Sequence, residues 1–389
     1  MSSIQRDLNL LDSHIRTFNY RNLSRIDWYL LGITFILIGF GLTALYSASQ
    51  SLSADASFFS LYYVRQFIAF CLGLTIALAI VCIDYRALIS LAPAMYIVVA
   101  GLLIAVLFIG TEAKGGQHWL RYGPFNLQPS ELSKLALVYS LAWYLAAVRD
   151  RIQSALYFAG AFVISGGILV LILLQKDLGT ALVLPPVVLM MLYAAGCRKR
   201  YLFSIVAVGV AMAATVFFAV DKLPLEEYQK SRIKSFVQPD ADPLESGYQI
   251  IQTKIAVGSG QMWGKGVGKG TQTHLRFLPE FHTDFIFALI AEEMGFVGGF
   301  IVISLFALFL LRGIVLARDC PDLAGSLLAV GCVTIIGFHV FVNIAITLHL
   351  LPITGLPLPF LSQGGSFCVT TMMCVGTLLS VQVRKGFFD

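Results

Sequence analysis

The stretch FLPEFHTDFIF, Phe277 to Phe287, holds Pro279, Glu280, His282 and Asp284 within six residues. It runs directly into an apolar segment long enough to cross a bilayer. A carboxylate or an imidazole at such a place can take a proton from a hydroxyl. Pro279 is suited to start a helix, which puts Asp284 in or near its first turn. The positive end of the helix dipole favours an ionised carboxylate there, whereas Phe285 and the lipid boundary oppose it. The sequence does not decide between these, and the ordinary reading of Asp284 is a cap at the interface.

Four other segments carry unusual polar residues. In GQHWLRYGPFNLQPSELSKLA, Gly116 to Ala136, Trp119 and Arg121 are expected in a loop and Pro129 in the first turn of a helix. Glu131 and Lys134 are three apart, so they share a face, either as an ion pair snorkelling to water or as part of a site. QKDLGTA, Gln175 to Ala181, puts Lys176 and Asp177 in a tight connection between two spans, where a turn with solvated charges is the ordinary reading. GSGQMWGKGVGKGTQ is a flexible loop or a backbone nest for phosphate, with Lys265, Lys269 and Arg276 adding positive charge. It is not a P-loop, because Gly270 follows Lys269 where Ser or Thr is required. LPITGLPLPFLSQGGSF, Leu351 to Phe367, cannot be a continuous helix and is expected to fold back into a cavity.

Inside the apolar runs, Glu292 lies about 12 Å along a helix from Asp284, and Glu293 follows it. Two carboxylates at such depth need a partner, a proton or a wet cavity, which disfavours lipid exposure and leaves a structural and a functional role both open. His339 and Asn343, one turn apart, read as a satisfied interhelical polar pair. HExxH, paired CxxC and a Ser-His-Asp order do not occur, and the seven cysteines show no disulfide framework.

The elements that must position these residues follow from composition. Hydrophobic residues make up 58% of the 389 and charged residues 13%, a surplus that only lipid-facing spans explain. The fold class is an all-α polytopic membrane protein. Ten apolar segments stand out, near 28–48, 62–83, 91–110, 132–148, 155–174, 179–196, 202–220, 285–311, 324–348 and 363–383. Residues 1–27 form a polar leader, 28–383 the ten-helix domain and 384–389 a tail. Basic residues crowd one set of connections, among them Arg86, Arg149, Arg151, the Arg198-Lys199-Arg200 cluster, Arg312 and Arg318. The positive-inside rule makes that side, with both termini, cytoplasmic. A large outer loop, 221–284, joins helices 7 and 8. In it Tyr248, Ile251 and Ile255 share one face of a short helix. The net charge of +5 has no concentrated stripe, which argues against nucleic acid as a partner.

Carboxylates with scattered cations on one membrane face suit glycosyl transfer from a lipid diphosphate. A base takes the acceptor's proton and positive charge eases the leaving group. A transporter that flips a lipid-linked precursor is the rival reading, weakened by the absence of a visible inverted repeat. A scaffold that activates a partner is the third.

WLRYGPFNLQPSELSKLA, QKDLGTA, GYQIIQTKIAVGSG, GKGVGKGTQ, FLPEFHTDFIFALIAEEMGFVG and GLPLPFLSQGGS together resemble the SEDS family (shape, elongation, division and sporulation), of the RodA/FtsW type. The resemblance runs from the first span to the last. It implies an inner-membrane peptidoglycan glycosyltransferase that polymerises lipid II on the outer face and releases undecaprenyl diphosphate. It also implies a class B penicillin-binding protein as partner. On this resemblance the essential acid falls on Asp284, and Trp119, Glu131, Lys134 and Asp177 match family positions. Arg121, Lys265, Lys269, Arg276, Glu280 and His282 are further substrate-binding candidates. Glu131 and Asp177 are candidates to hold a divalent cation (Mg or Mn), though the sequence requires no cofactor. The GLPLP wording and the short leader lean toward the elongation, RodA-like branch over the division branch. Two departures stand out: Lys176 where the family usually has Pro, and Gln363 where it often has Tyr.

Overall fold

The computed structural model describes residues 26–51, 57–113, 116–122, 125–218, 220, 227–238, 246–275 and 277–385. Arg276 and most of the expected leader and tail lie outside them. Helix α1 (Trp28–Ser49) starts where the Asp27 carboxylate accepts from Leu30 N at 3.1 Å, and α2 (Tyr62–Cys82) follows. Asp84 caps the short α3 (Tyr85–Ser90), which leads into α4 (Ala92–Ile109). Three short antiparallel strands come next: β1 (Thr111–Ala113), β2 (Gly116–Tyr122) and β3 (Phe125–Leu127). Trp119 and Arg121 sit on β2 rather than in an irregular loop, Trp119 opposite Thr111 and Arg121 opposite Asn126.

Pro129 opens α5 (Pro129–Ala147), as its place in the sequence predicts. Then come α6 (Ala155–Leu174), α7 (Leu178–Ala194) and α8 (Lys199–Phe218). The outer-loop region holds α9 (Glu227–Val237), α10 (Ser246–Ser259) and the single turn α11 (Thr271–His274). The predicted loop helix around Tyr248 is therefore present as α10. The chain ends in α12 (Ile286–Arg318), α13 (Leu323–Thr347) and α14 (Gly365–Arg384).

Among the described residues, eight helices are long and apolar enough to cross a membrane, so this is an integral membrane protein. The other two expected spans are helical but differ in kind. α7 has 17 residues with Pro185 and Pro186 inside it, and α5 carries the Glu131–Lys134 pair. Burial ranks the helices: 78% of α14's apolar window and 67% of α13's are buried, against none of α8's. α13 and α14 are the centre of the bundle, and α8 stands at its rim. Small residues let α14 lie close on α2. A side chain on Gly376 would come within 2.8 Å of the Ala77 Cα, and one on Gly73 within 2.9 Å of Met372.

α12 differs from its expectation. Gly295 (φ 67°, ψ −165°) breaks it, in a conformation open only to glycine. Residues 296–318 alone run about 34 Å, enough to cross a bilayer. Glu292 and Glu293 thus sit on a separate segment ahead of the crossing helix. The break strands backbone groups, and the glycine-rich loop satisfies them. Lys265 N donates to Glu292 O (3.0 Å) and Gly266 N to Glu293 O (2.9 Å). Phe296 N donates to Gln261 O (2.8 Å) and Val297 N to Met262 O (3.1 Å).

Candidate active site

One end of the bundle gathers the starts of α5, α7, α12 and α14 with the end of α13. Between them runs the non-helical segment 351–361, which folds inward as the prolines demand. Four successive residues of it are read by three parts of the chain: α7, the turn at Asp284 and α13. Thr354 O faces Gly179 on α7, where a side chain would come within 3.0 Å. Gly355, at φ 75°, lies against Asp284, and a Cβ there would be 3.6 Å from Asp284 Oδ2. Leu356 O accepts from Asn343 Nδ2 at 2.8 Å. Pro357 O lies 3.3 Å from His339 Nδ1.

Asp284 is half-buried at the end of a turn, not inside a helix. Pro279 does not start α12. Instead Glu280 takes φ 55°, its carbonyl collects the N–H groups of Thr283 and Asp284, and α12 begins at Ile286. The N-cap position belongs to Phe285, so the capping role considered for Asp284 is not filled by it. The Asp284 backbone is held instead. Asn343 Nδ2 donates to its carbonyl at 2.8 Å, and Ser362 Oγ donates to Thr283 O at 2.5 Å. His282 stacks on Tyr62 with ring centres 4.2 Å apart, and its carbonyl accepts from Gln363 N at 2.9 Å. The Glu280 carboxylate accepts from Thr283 Oγ1 at 2.9 Å.

Glu131 and Lys134 form an ion pair at 2.7 Å, as their spacing predicts, but both are buried. Snorkelling to water is overturned because Lys134 has partners inside the protein. Its Nζ lies 3.0 Å from His339 Nε2 and 5.3 Å from the centre of the Phe367 ring. Asp177 is not a solvated turn residue. Its Oδ1 accepts from Thr180 N (3.0 Å). Its Oδ2 accepts from Gln128 Nε2 (3.1 Å), Ser130 Oγ (2.8 Å) and Thr180 Oγ1 (2.8 Å). Three donors saturate Oδ2 and a fourth, the capped N–H, binds Oδ1, and Glu131 is neutralised by Lys134. As placed, Glu131 and Asp177 do not fit a shared divalent cation.

The structure thus brings Glu131, Lys134 and Asp177 into one polar layer, joined to Asp284 through segment 354–357. Other candidates lie apart. Lys265 donates to Glu292 Oε1 and to Thr271 Oγ1, both at 2.7 Å, so its ammonium anchors the glycine loop. The backbone N–H groups of 264, 265, 266 and 269 donate to protein carbonyls, so these four are not available to a phosphate. Lys269 and Arg121 are exposed, and Trp119 is half-exposed. The sheet bearing Trp119 and Arg121 is tied to the site by Ser366 Oγ, which accepts from Gln128 N (3.1 Å) and donates to Asn126 O (3.0 Å).

Sequence reasoning missed several contributors. Asn343 and His339 do not pair with each other; each clamps segment 354–357. Ser130 and Thr180 were passed over, although the spacing from Asp177 to Thr180 is a readable capping signal. Arg232 on α9, Nη1 3.4 Å from Ile353 O, had no sequence signal.

The family model described as cell cycle protein, FtsW/RodA/SpoVE, matches residues 28–386. This chain belongs to the FtsW/RodA/SpoVE family. The probable peptidoglycan glycosyltransferase FtsW of Geobacter metallireducens is 37% identical over 373 residues, covering 95% of this chain and 98% of that one. Peptidoglycan glycosyltransferase MrdB of Escherichia coli is 37% identical over 315 residues, covering 81% and 84%. Among solved structures, a chain of a peptidoglycan synthase complex, described as coordinating polymerization and crosslinking, superposes with a TM-score of 0.76. It has 30% identity and covers 93% of this chain and 99% of that one. FtsW/RodA/SpoVE membership extends over every element that builds the site, from α1 to α14.

Proposed function

We propose that this chain is a peptidoglycan glycosyltransferase that polymerises lipid II on the outer face of the cytoplasmic membrane. The observation that carries the reading is the placement of Asp284. It is a half-buried carboxylate with its backbone fixed by Asn343 and its side chain beside a glycine that leaves room. Asp284 is the general base. It takes the proton of the acceptor GlcNAc 4-hydroxyl, whose oxygen bonds to the donor's anomeric carbon. The bond from that carbon to the lipid diphosphate breaks, and undecaprenyl diphosphate departs with inversion. Lys134, Glu131 and Asp177 shape the polar cavity. Trp119, Arg121, Lys269, Arg276, Glu280 and His282 serve substrate binding, and Lys265 supports the loop that bears Lys269. No step runs through a metal.

The basic residues Arg149, Arg151, Arg318 and Lys385 belong to the end opposite Asp284, which supports cytoplasmic termini. A class B penicillin-binding protein is the partner, a reading supported by the likeness to a synthase-complex chain. The GLPLP wording supports the elongation branch. Equal identity to an FtsW and to MrdB does not separate the branches, so complementation of strains depleted of each is the test.

Purified protein supplied with lipid II, with and without its cognate transpeptidase, tests the reaction class. Glycan polymer is the expected product. Lipid scrambling without polymer would decide for the precursor transporter.

A further inference from the structure

His339 is fully buried on α13, one turn before Asn343. Its two ring nitrogens meet groups of opposite character. Nε2 lies 3.0 Å from Lys134 Nζ, and Nδ1 lies 3.3 Å from Pro357 O. An ammonium only donates and a carbonyl only accepts. One form of the ring satisfies both: the proton on Nδ1, the lone pair on Nε2, with each nitrogen's state fixed by the other's bond.

We propose that His339 is a positioning residue that fixes the Lys134 ammonium and couples it to the Pro357 segment bordering Asp284. The inference rests on the glycosyltransferase reading, in which Lys134 shapes the reacting cavity. A lysine stem is long and flexible, so the place of its charge is set by what holds the end. Glu131 holds Lys134 from its own helix at 2.7 Å, and the Phe367 ring covers it from α14. Among the described residues, His339 bonds to both Lys134 and segment 354–357, whose Gly355 lies against the Asp284 carboxylate. The same Phe367 ring packs on His339, centre to centre 4.7 Å, and leaves the imidazole little freedom to turn. Movement of that segment as substrate enters is thereby passed to Lys134 through one ring.

The test compares His339→Gln with His339→Leu in the full-length protein. Glutamine offers an acceptor oxygen to Lys134 and a donor nitrogen to Pro357, whereas leucine fills the volume and offers neither. In initial-rate assays over a range of lipid II concentrations, H339Q keeps kcat within about threefold of wild type. H339L loses about tenfold or more in kcat with KM little changed, the scale of one lost hydrogen bond to a charged group. Wild-type turnover by H339L, or loss by folded H339Q equal to that of H339L, overturns the proposal. If H339L does not fold, H339Q decides alone. A second readout needs no turnover. In 15N-histidine NMR of wild type, the signal that vanishes in H339Q shows Nδ1 protonated and Nε2 bare. The opposite tautomer, or a doubly protonated ring, overturns the proposal. Absence of polymer from wild type with the stated tautomer present defeats the glycosyltransferase reading and leaves the placement of Lys134 standing.

Discussion

Lys134 is a charged side chain with none of its surface exposed, facing a carboxylate that is nearly as buried. Breaking such a pair leaves one charge uncompensated. Lys134→Met is expected to destabilise the protein by about 3–5 kcal/mol, and adding Glu131→Leu should recover much of that loss, as read by denaturant unfolding in detergent. Recovery should not extend to polymerisation, because the cavity has then lost its cation. The pair itself was legible in the sequence, since a spacing of three puts two residues on one face. Its burial was not, because the partner that accepts the second Lys134 hydrogen bond stands 205 residues away. Asp284 follows the same rule. Its type and position pointed to chemistry, while Gly355 and Asn343, which place it, come from distant segments that no local pattern links to it.

At the scale of elements, the break in α12 and the loop that covers it form one unit. A side chain on Gly264 would meet Glu293 O at 2.1 Å and would also sit at φ 79°. Gly264→Ala is expected to cost at least about 1–3 kcal/mol and to speed hydrogen exchange across 260–266 and at Phe296 and Val297. Unchanged exchange at those amides would show that the loop is not what satisfies the break. The sequence hid this because residues 285–311 read as one apolar run, and nothing local says which of Gly295, Gly298 and Gly299 turns left-handed. α10 offers a pH-dependent contact. Burial, and then the Lys254 ammonium, hold the His349 imidazole below its usual range, partly offset by the Ile250 carbonyl. A depressed folded pKa gives stability that is present above the ordinary value near 6.5 and lost as pH falls through the folded value. Exchange in 246–259 should therefore rise as pH falls below about 6.5, and His349→Gln should flatten that dependence.

For the molecule as a whole, polarity is divided between two ends. The Asp284 end gathers the unusual motifs. The other end is laced by ion pairs between chain-distant residues, Arg312 with Asp27 at 2.5 Å, Arg384 with Asp84 at 3.5 Å and Lys385 with Asp319 at 2.9 Å. In a variant cleared of its cysteines, Lys269→Cys should label from outside intact cells and Arg151→Cys only after permeabilisation; the reverse pattern would invert the orientation. The helical membrane architecture was legible because lipid demands long apolar runs. The small sheet carrying Trp119 and Arg121 was not, because β1 and β3 have only three residues each and the GQHWLRY of β2 does not alternate apolar with polar. The central claim is that Asp284 removes the acceptor's proton, and one measurement meets it directly: the rate of lipid II polymerisation by purified Asp284→Asn beside wild type, with its transpeptidase present. Asparagine keeps the shape and cannot take the proton, so the rate should fall by about 10²–10⁴-fold while thermal unfolding stays close to wild type. A folded Asp284→Asn protein polymerising at the wild-type rate would contradict the claim outright.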